Sequence, residues 1–551
     1  MDKERCNFSI HLDNRGDAPF ECRNEHYSDG YCKFHHPTYA ASDSNKADLI
    51  KLLEQKIEYA NASGSDLDMI GYKLPRELSI SYQFKSTVHF DNAEFLGNTD
   101  FIDFTFEKDV SFSGATFHED VRFNDTIFKE KASFKQSKFK GKASFHEVVS
   151  FHVGADFSNA IFSKEVLFYE VRFGDSSFSD ATFHEDVRFN ETSGDASFSK
   201  TTFHGDVAFN EGGFNRAEFT ETAFNRKVQF SDINFHRGAD FSHTTFRGDT
   251  SFHECSFEMY VSSCSTTFHG DASFSKTTFH GDASFDQSKF NGILSFTDNT
   301  INGSLSFAQV FFKEKDQIIF NGDLSKVSFV STDITRVQFG DKVVWGRKQT
   351  NSGTTEPEDG NNNTHNKERF DFKIYDERRI EESVAITDTH TTTNSLEAVI
   401  AEYRNLRENY EYYLRYEEAG KFFMREMELR RNYTQPLSTS TEQIKQRNGV
   451  ARNLGLIGLY RLVCDYGESI RKPLIIIICT FVLATIFFTY ENGWSIENFY
   501  PVRKTLASFF PFFSLNDDPS LPEMILKATM LPMVGLLFIT LRRKLERRFR
   551  H

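Results

Sequence analysis

The chain has 551 residues, 62 of them phenylalanine against 2 tryptophans and 8 methionines, and it carries 64 Lys and Arg against 79 Asp and Glu. That length points to several domains, and the net charge of −15 argues against a nucleic-acid backbone binder, which needs basic groups facing phosphate. The seven cysteines are odd in number and thinly spread, which excludes a disulfide framework; Met1 to Cys6 leads into no apolar stretch, so no secretory signal is expected and most of the chain should face the reducing cytoplasm.

Residues 1–40 hold Cys6, Cys22, Cys32 and His35 in the spacing Cys-x15-Cys-x9-Cys-x2-His. Three thiolates and one imidazole complete a tetrahedral zinc site with no open position for water, so such a site is structural. The short Cys32-to-His35 spacing places two donors on one turn. His36 is an alternative fourth ligand and His26 a weaker one, and the competing reading is unmetallated thiols in a disordered tail. The spacing is similar to small Cys3His knuckles in general. Residues 41–77 read as a helical and linker segment, with helical patterning over Lys46–Tyr59.

From residue 78 to 345 phenylalanine keeps time. Phe84, Phe90, Phe95, Phe101, Phe106, Phe112, Phe117, Phe123, Phe128 and Phe134 step alternately by six and five. A fixed short period over this length predicts a solenoid, in which each unit buries its apolar face against its neighbours. A small or β-branched residue stands two places before many of the phenylalanines, as at Ala115, Val121, Ala132 and Ala143. Positions i−2 and i share a side of an extended segment, and the intervening Gly-Asp, Glu-Asp or Asn-Asp pairs suit corners. Steps of five and six hold no single face of a helix.

These residues resemble the pentapeptide-repeat family, whose unit has a small residue at i−2 and Leu or Phe at i. The resemblance covers about 84–340 and implies a mainly β fold: a right-handed, four-sided β-helix. The extra residue in every second step departs from the family pattern and predicts about 22 residues per coil. Some ten coils at the inter-strand spacing of about 4.8 Å predict a rod about 50 Å long. The step of nine from Phe189 to Phe198 and the gap between Phe257 and Phe268 are expected to be bulges or small loops. His118, His184, His204, His269 and His280 follow core phenylalanines; they read as solvated corners on different coils and faces rather than as a metal ladder. No nucleophile elbow, phosphate loop or matched carboxylate pair is present, so the chain reads as non-enzymatic. Some soluble members of the family mimic duplex DNA and engage DNA gyrase, and the acidic count agrees loosely with that.

Residues 346–394, rich in Thr, Asn, Gly and Glu, predict a disordered linker. In 395–433, Ser395 can cap a helix striped with Leu396, Val399, Ile400, Tyr403, Leu406 and Tyr410. A second helix carries Tyr416, Ala419, Phe422, Phe423 and Met427. The pair resembles one tetratricopeptide unit and needs another surface to cover its second face: the rod, the membrane-proximal part or another subunit. Residues 434–470 read as a linker and juxtamembrane helix.

Residues 471–551 read as a two-span transmembrane hairpin with a basic tail. Leu474 to Tyr490 holds no charge and is long enough to cross a bilayer core of about 30 Å. Tyr490 and Trp494 stand as interfacial anchors. A second apolar run, Met524 to Leu541, contains Lys527, placed to snorkel, and Pro532, expected to kink it. Arg471 and Lys472 precede the first span, and Arg542, Arg543, Lys544, Arg547, Arg548 and Arg550 follow the second, so both termini and the rod are expected on the cytoplasmic side of the cell membrane. Between the spans, Val502–Leu515 predicts a short interfacial or re-entrant helix. Span, short helix, span resembles the two-span potassium-channel pore unit, but no Thr-Val-Gly-Tyr-Gly filter is present. Helix pair, Tyr466-Gly467-Glu468 and hairpin together look like the membrane-linked branch of pentapeptide-repeat proteins. The resulting expectation is a membrane-anchored scaffold presenting an acidic rod to a protein partner, with a homo-oligomer among the expected assemblies. A pore or sensor gated by the rod is the alternative, and a DNA-mimic modulator of a topoisomerase the second.

Overall fold

The computed structural model of the chain describes residues 5–12, 19–76, 78–80, 83–346, 372–385, 395–435, 444–491, 500–509 and 521–549. They fall into two compact units, 1–332 with 337–344, and 333–336 with 345–551.

The first unit is a parallel β-solenoid. Four ladders run along it, each pairing a strand, mostly of two to four residues and longer in places over 172–235, with its equivalent one coil later. Val110 pairs with Ala132, Thr116 with Lys138, Val121 with Ala143 and Ile127 with Ser150. The four ladders correspond to four faces, and these offsets are 22 or 23 residues; elsewhere the coil shortens to 20, between Val187 and Val207, or lengthens to 24, between Leu294 and Ile318. One face is an unbroken sheet of 12 strands. At about 4.8 Å per rung the stack is about 50 Å long.

The beat fills the interior because each ring lies over its equivalent in the next coil. From Phe95 through Phe117, Phe139, Phe162, Phe183 and Phe203 to Phe290, successive centroids on one face are 4.5–5.1 Å apart and the rings lie within 12° of parallel. Across the bore, rings from opposite faces meet edge to face, as Phe112 meets Phe123 at 6.0 Å and 81°. Both arrangements suit the aromatic quadrupole.

The alternation of five and six has a backbone cause. Five-residue steps turn through one left-handed residue, such as Asn92, Gln136 and Asp180 on one corner and Asp103, Asp125 and Glu170 on another. Most six-residue steps, such as Phe117 to Phe123, turn without one and use the extra residue instead; Phe145 to Phe151, with Glu147 and Val148 left-handed, is an exception. Several hydroxyls admitted to the interior are satisfied: Thr126, Thr201, Thr222 and Thr266 donate to the carbonyls of Phe101, Phe178, Phe198 and Phe241 at 2.6–2.9 Å, whereas the buried hydroxyls of Thr192 and Thr250 have no partner among the described residues.

Of two breaks in the beat, the second is at the expected bulge and the first resolves differently from expectation. Between Phe257 and Phe268 there is no loop: Val261 pairs in register with Ala239 and Ala283, and Ser263 takes the phenylalanine slot. A void of about 10 Å³ remains there, lined by Phe241, Phe274 and Phe285 among others. Between Phe189 and Phe198, Gly194 stands opposite Phe214 in a phenylalanine slot, beside a register shift before Ala196.

The solenoid also starts earlier than the beat. Leu67 pairs with Val88 and Leu74 with Phe95, so the first coil lies in the segment expected to be a linker. Before it runs helix α1, Lys46–Ser63, which buries Leu49, Leu53, Ile57 and Ala60 and ends on Gly64 in a left-handed cap.

In the second unit, part of the expected tether is helical. Helix α2, Tyr375–Ala385, lies within 346–394. Ile374 and Ile380 are buried, and Glu377 accepts from Arg425 and from the Tyr403 hydroxyl. A mostly charged segment forms a helix here because packing against α3, Leu396–Tyr412, supplies what composition does not. Ser395 caps α3 by accepting from the Ala398 amide at 3.2 Å. Helix α4, Tyr416–Asn432, packs antiparallel to α3. The second face of α3 is covered within the unit: Asn409 donates to the Ile334 carbonyl at 2.7 Å, and Trp345 donates to the Tyr410 hydroxyl at 2.8 Å. Helices α5, Gly449–Leu454, and α6, Leu456–Cys464, follow. Then come α7, Arg471–Glu491, α8, Tyr500–Phe509, and α9, Leu521–Phe549, which runs through Pro532.

Candidate functional site

Cys6, Cys22, Cys32 and His35 come together at the N-terminal end of the solenoid. All four are buried, and their ligating atoms lie within 4.8 Å of one another. Cys6 Sγ is 3.5 Å and Cys32 Sγ 3.3 Å from His35 Nδ1, and Cys22 Sγ is 4.0 Å from Cys32 Sγ. Tetrahedral zinc with ordinary bond lengths needs edges of about 3.8 Å between sulfurs and about 3.5 Å between sulfur and nitrogen, so the donor set fits a metal ion of that kind. The outer contacts also suit it. His35 Nε2 lies 2.8 Å from the Ile70 carbonyl, which turns Nδ1 inward. The amide of Cys32 donates to Cys6 Sγ at 3.2 Å, and Asn24 gives its backbone amide to Cys22 and its side chain to Cys32. The hydrogen bond from Cys22, then those from His35 and Asn24, hold the Cys32 thiol below its ordinary pKa against burial. Burial pushes Cys6 up.

The alternative ligands lie elsewhere. His26 Nε2 accepts from the Gly30 amide at 2.6 Å, and His36 Nε2 lies 3.4 Å from Asp29. The residues that orient the cluster carry no motif. Phe8 stacks on the His35 ring at 3.8 Å, Phe34 stacks on Tyr72 at 4.3 Å, and Tyr72 accepts from Asn24. Phe34 also accepts a backbone hydrogen bond from Lys73 of the first coil at 2.8 Å. The cluster therefore organises a cap over the first coil, the element a solenoid needs at its open end.

The corner histidines share positions more than their spacing suggested. His118, His184, His204 and His269 each follow a phenylalanine of the 12-strand face. His184 stacks on His204 at 5.2 Å, while His204, His269 and His280 take Asn225, Asn291 and Asn302 as partners at 3.0–3.2 Å. These are solvated side-chain ladders.

In the second unit, Arg471–Glu491 and Leu521–Arg542 are long and apolar enough to cross a membrane, and they include the expected limits Leu474, Tyr490, Met524 and Leu541. Helix α8 packs on both. Lys504 of α8 bonds Glu491 at 3.1 Å and Glu523 at 3.3 Å, and Thr505 lies 3.2 Å from Thr485. Trp494 and Phe510–Phe513 lie outside the described residues.

A family model described as pentapeptide repeats in nine copies matches residues 83–127, 101–149, 123–172, 149–193 and 265–310. The repeat region belongs to the pentapeptide-repeat family. An uncharacterized protein of Methanocaldococcus jannaschii is 28% identical over 247 residues, which is 43% of this chain and 48% of the relative. The chain thus spans about half the length of the curated relative it matches.

Proposed function

We propose that this pentapeptide-repeat protein is a non-enzymatic, membrane-anchored scaffold whose solenoid presents a rigid acidic surface to a protein partner. The observation that carries the reading is the completeness of the solenoid. Its interior is largely stacked phenylalanine, so its variable chemistry lies on the corners. Residues 84–345 carry 25 Lys and Arg against 38 Asp and Glu. Helices α7 and α9 serve as the anchor. Basic residues before the first and after the second put both termini and the solenoid in the cytoplasm. Cross-linking with mass spectrometry on native membranes should capture a protein partner on the corners. Cross-links only between copies of the chain would refute the scaffold role and leave a homo-oligomer.

The N-terminal cluster supports a structural zinc site. Cys6, Cys22, Cys32 and His35 would hold the ion, which when bound supplies a cross-link between segments distant in sequence. Four protein donors leave no position for a reacting water.

One observation favours a second reading, an oligomeric pore. Helix α8 is held between α7 and α9 by the Lys504 ion pairs, the order of a two-span channel unit. Conductance in a planar bilayer would support it, and a well-folded oligomer without conductance would refute it.

A further inference from the structure

Helices α5 and α6 leave an apolar stripe uncovered. Leu454 is 68% exposed, Leu456 88%, Leu459 46% and Leu462 65%. Leu456, Leu459 and Leu462 recur at intervals of three and share one side of α6, while Gly458, Val463 and Cys464 of the same helix are buried. A contiguous exposed leucine face marks an interaction surface. Position and charge identify what it meets. Six residues separate the end of α6 from the start of α7. Residues 444–472 contain six cations, Lys445, Arg447, Arg452, Arg461, Arg471 and Lys472, against two acids, Asp465 and Glu468, in a chain that is otherwise acidic. Lys445, Arg447 and Arg471 are exposed. Arg461 is held by Glu428 at 3.0 Å and Lys472 by Asp465 at 3.3 Å.

We infer that α5–α6 lies in the membrane surface, with Leu454, Leu456 and Leu462 among the acyl chains and its cations against anionic lipid headgroups. A leucine face beside a basic flank is the composition of an interfacial helix, and cations next to a span draw anionic lipid. The inference rests on α7 and α9 being spans.

The test uses the full chain in nanodiscs of equal parts zwitterionic phosphatidylcholine and anionic phosphatidylglycerol. A photoreactive p-benzoylphenylalanine replaces Leu456, Leu462 or, on α7, Leu483, which is 66% exposed. Lipid adducts at all three sites are expected. At Leu456 and Leu462 phosphatidylglycerol adducts should exceed phosphatidylcholine adducts by about threefold or more. The combined Lys445→Gln, Arg452→Gln and Arg471→Gln variant should remove that excess and leave total adduct at Leu483 unchanged. Adducts at Leu483 with none at Leu456 and Leu462 would overturn the inference while the spans stand. So would protein-to-protein cross-links at Leu456, which would assign the stripe to a second copy. Loss of adducts at Leu483 as well would overturn both the inference and the spans beneath it.

Discussion

Ser263→Phe should make the solenoid more stable. On this face Phe178, Phe198, Phe219 and Phe241 stack at 4.8–5.0 Å, and so do Phe285 and Phe307 at 5.0 Å. Ser263 interrupts the column between Phe241 and Phe285. Neighbouring rings lean into the space, as Phe274 meets Phe285 at 5.2 Å and 82°, and a void of about 10 Å³ is left. A phenylalanine there buries a side chain worth about 1.5–3 kcal/mol. Against this stand the Ser263 hydrogen bond to Thr266 at 3.1 Å, about 1 kcal/mol, and the strain of pushing the leaning rings back. Thr266 keeps its bond to the Phe241 carbonyl, so no buried hydroxyl is orphaned. The net expectation is a gain of about 1 kcal/mol. A solenoid opens coil by coil rather than all at once, so the assay is native-state hydrogen exchange at the amides of Phe241, Ser263 and Phe285. These bond the carbonyls of Ser262, Ser284 and Ser306 at 2.7–2.8 Å. Exchange should slow by about fivefold, since about 1.4 kcal/mol corresponds to a factor of ten. Faster exchange would show that the neighbours have closed the slot and that a ring overpacks it.

Other parts of the chain give further tests. The full chain should purify with about one zinc ion; Cys32→Ser should abolish it and speed exchange at the Lys73 amide, which bonds Phe34, by at least about tenfold. Retention of zinc by Cys32→Ser, or an unchanged Lys73 amide, would sink the cap. Removing one partner of the buried Glu377–Arg425 pair by Arg425→Met should cost about 3–5 kcal/mol in thermal unfolding, and adding Glu377→Gln should restore most of it. A double variant no better than the single would show that the pair is not coupled. Burial raises the Glu428 pKa, but hydrogen bonds from Arg431 and Tyr466 and the charges of Arg431 and Arg461 outweigh it and hold the carboxyl low. A depressed acid contributes stability that is full above its unfolded value near 4.5 and is lost as pH falls through the lower folded value. Protection against exchange around Tyr466, which donates to Glu428 at 2.8 Å, should therefore fall on acidification once the intrinsic exchange rate is divided out. In Glu428→Gln protection should be low already at neutral pH and flat with pH; a wild-type profile in that variant would refute the link between α4 and the segment after α6.

Why the repeat was readable and its two ends were not follows from what holds each in place. The phenylalanine beat is visible in sequence because every coil solves the same packing problem, so one ring recurs wherever one slot recurs. The first coil escapes the pattern because Leu67 and Leu74 fill its slots while Phe34 and Tyr72, from outside the beat, help to close its end. The cysteine spacing named the cluster, but the choice of His35 over His36 and His26 is made by tertiary contacts: Ile70 takes Nε2 and Phe8 covers the ring. No local motif encodes either contact, because Ile70 and Phe8 both stand far in sequence from His35 and reach it only through the fold. Helix α2 was missed for a related reason. Asp376, Glu377, Arg378, Arg379, Glu381 and Glu382 read as a solvated tether, yet the Glu377–Arg425 pair and two isoleucines bury that segment. A charge run is solvated only when nothing pairs with it, and pairing is a property of the fold. The same logic runs the other way on α6, where leucines that composition would place in a core stand uncovered beside a membrane-length helix.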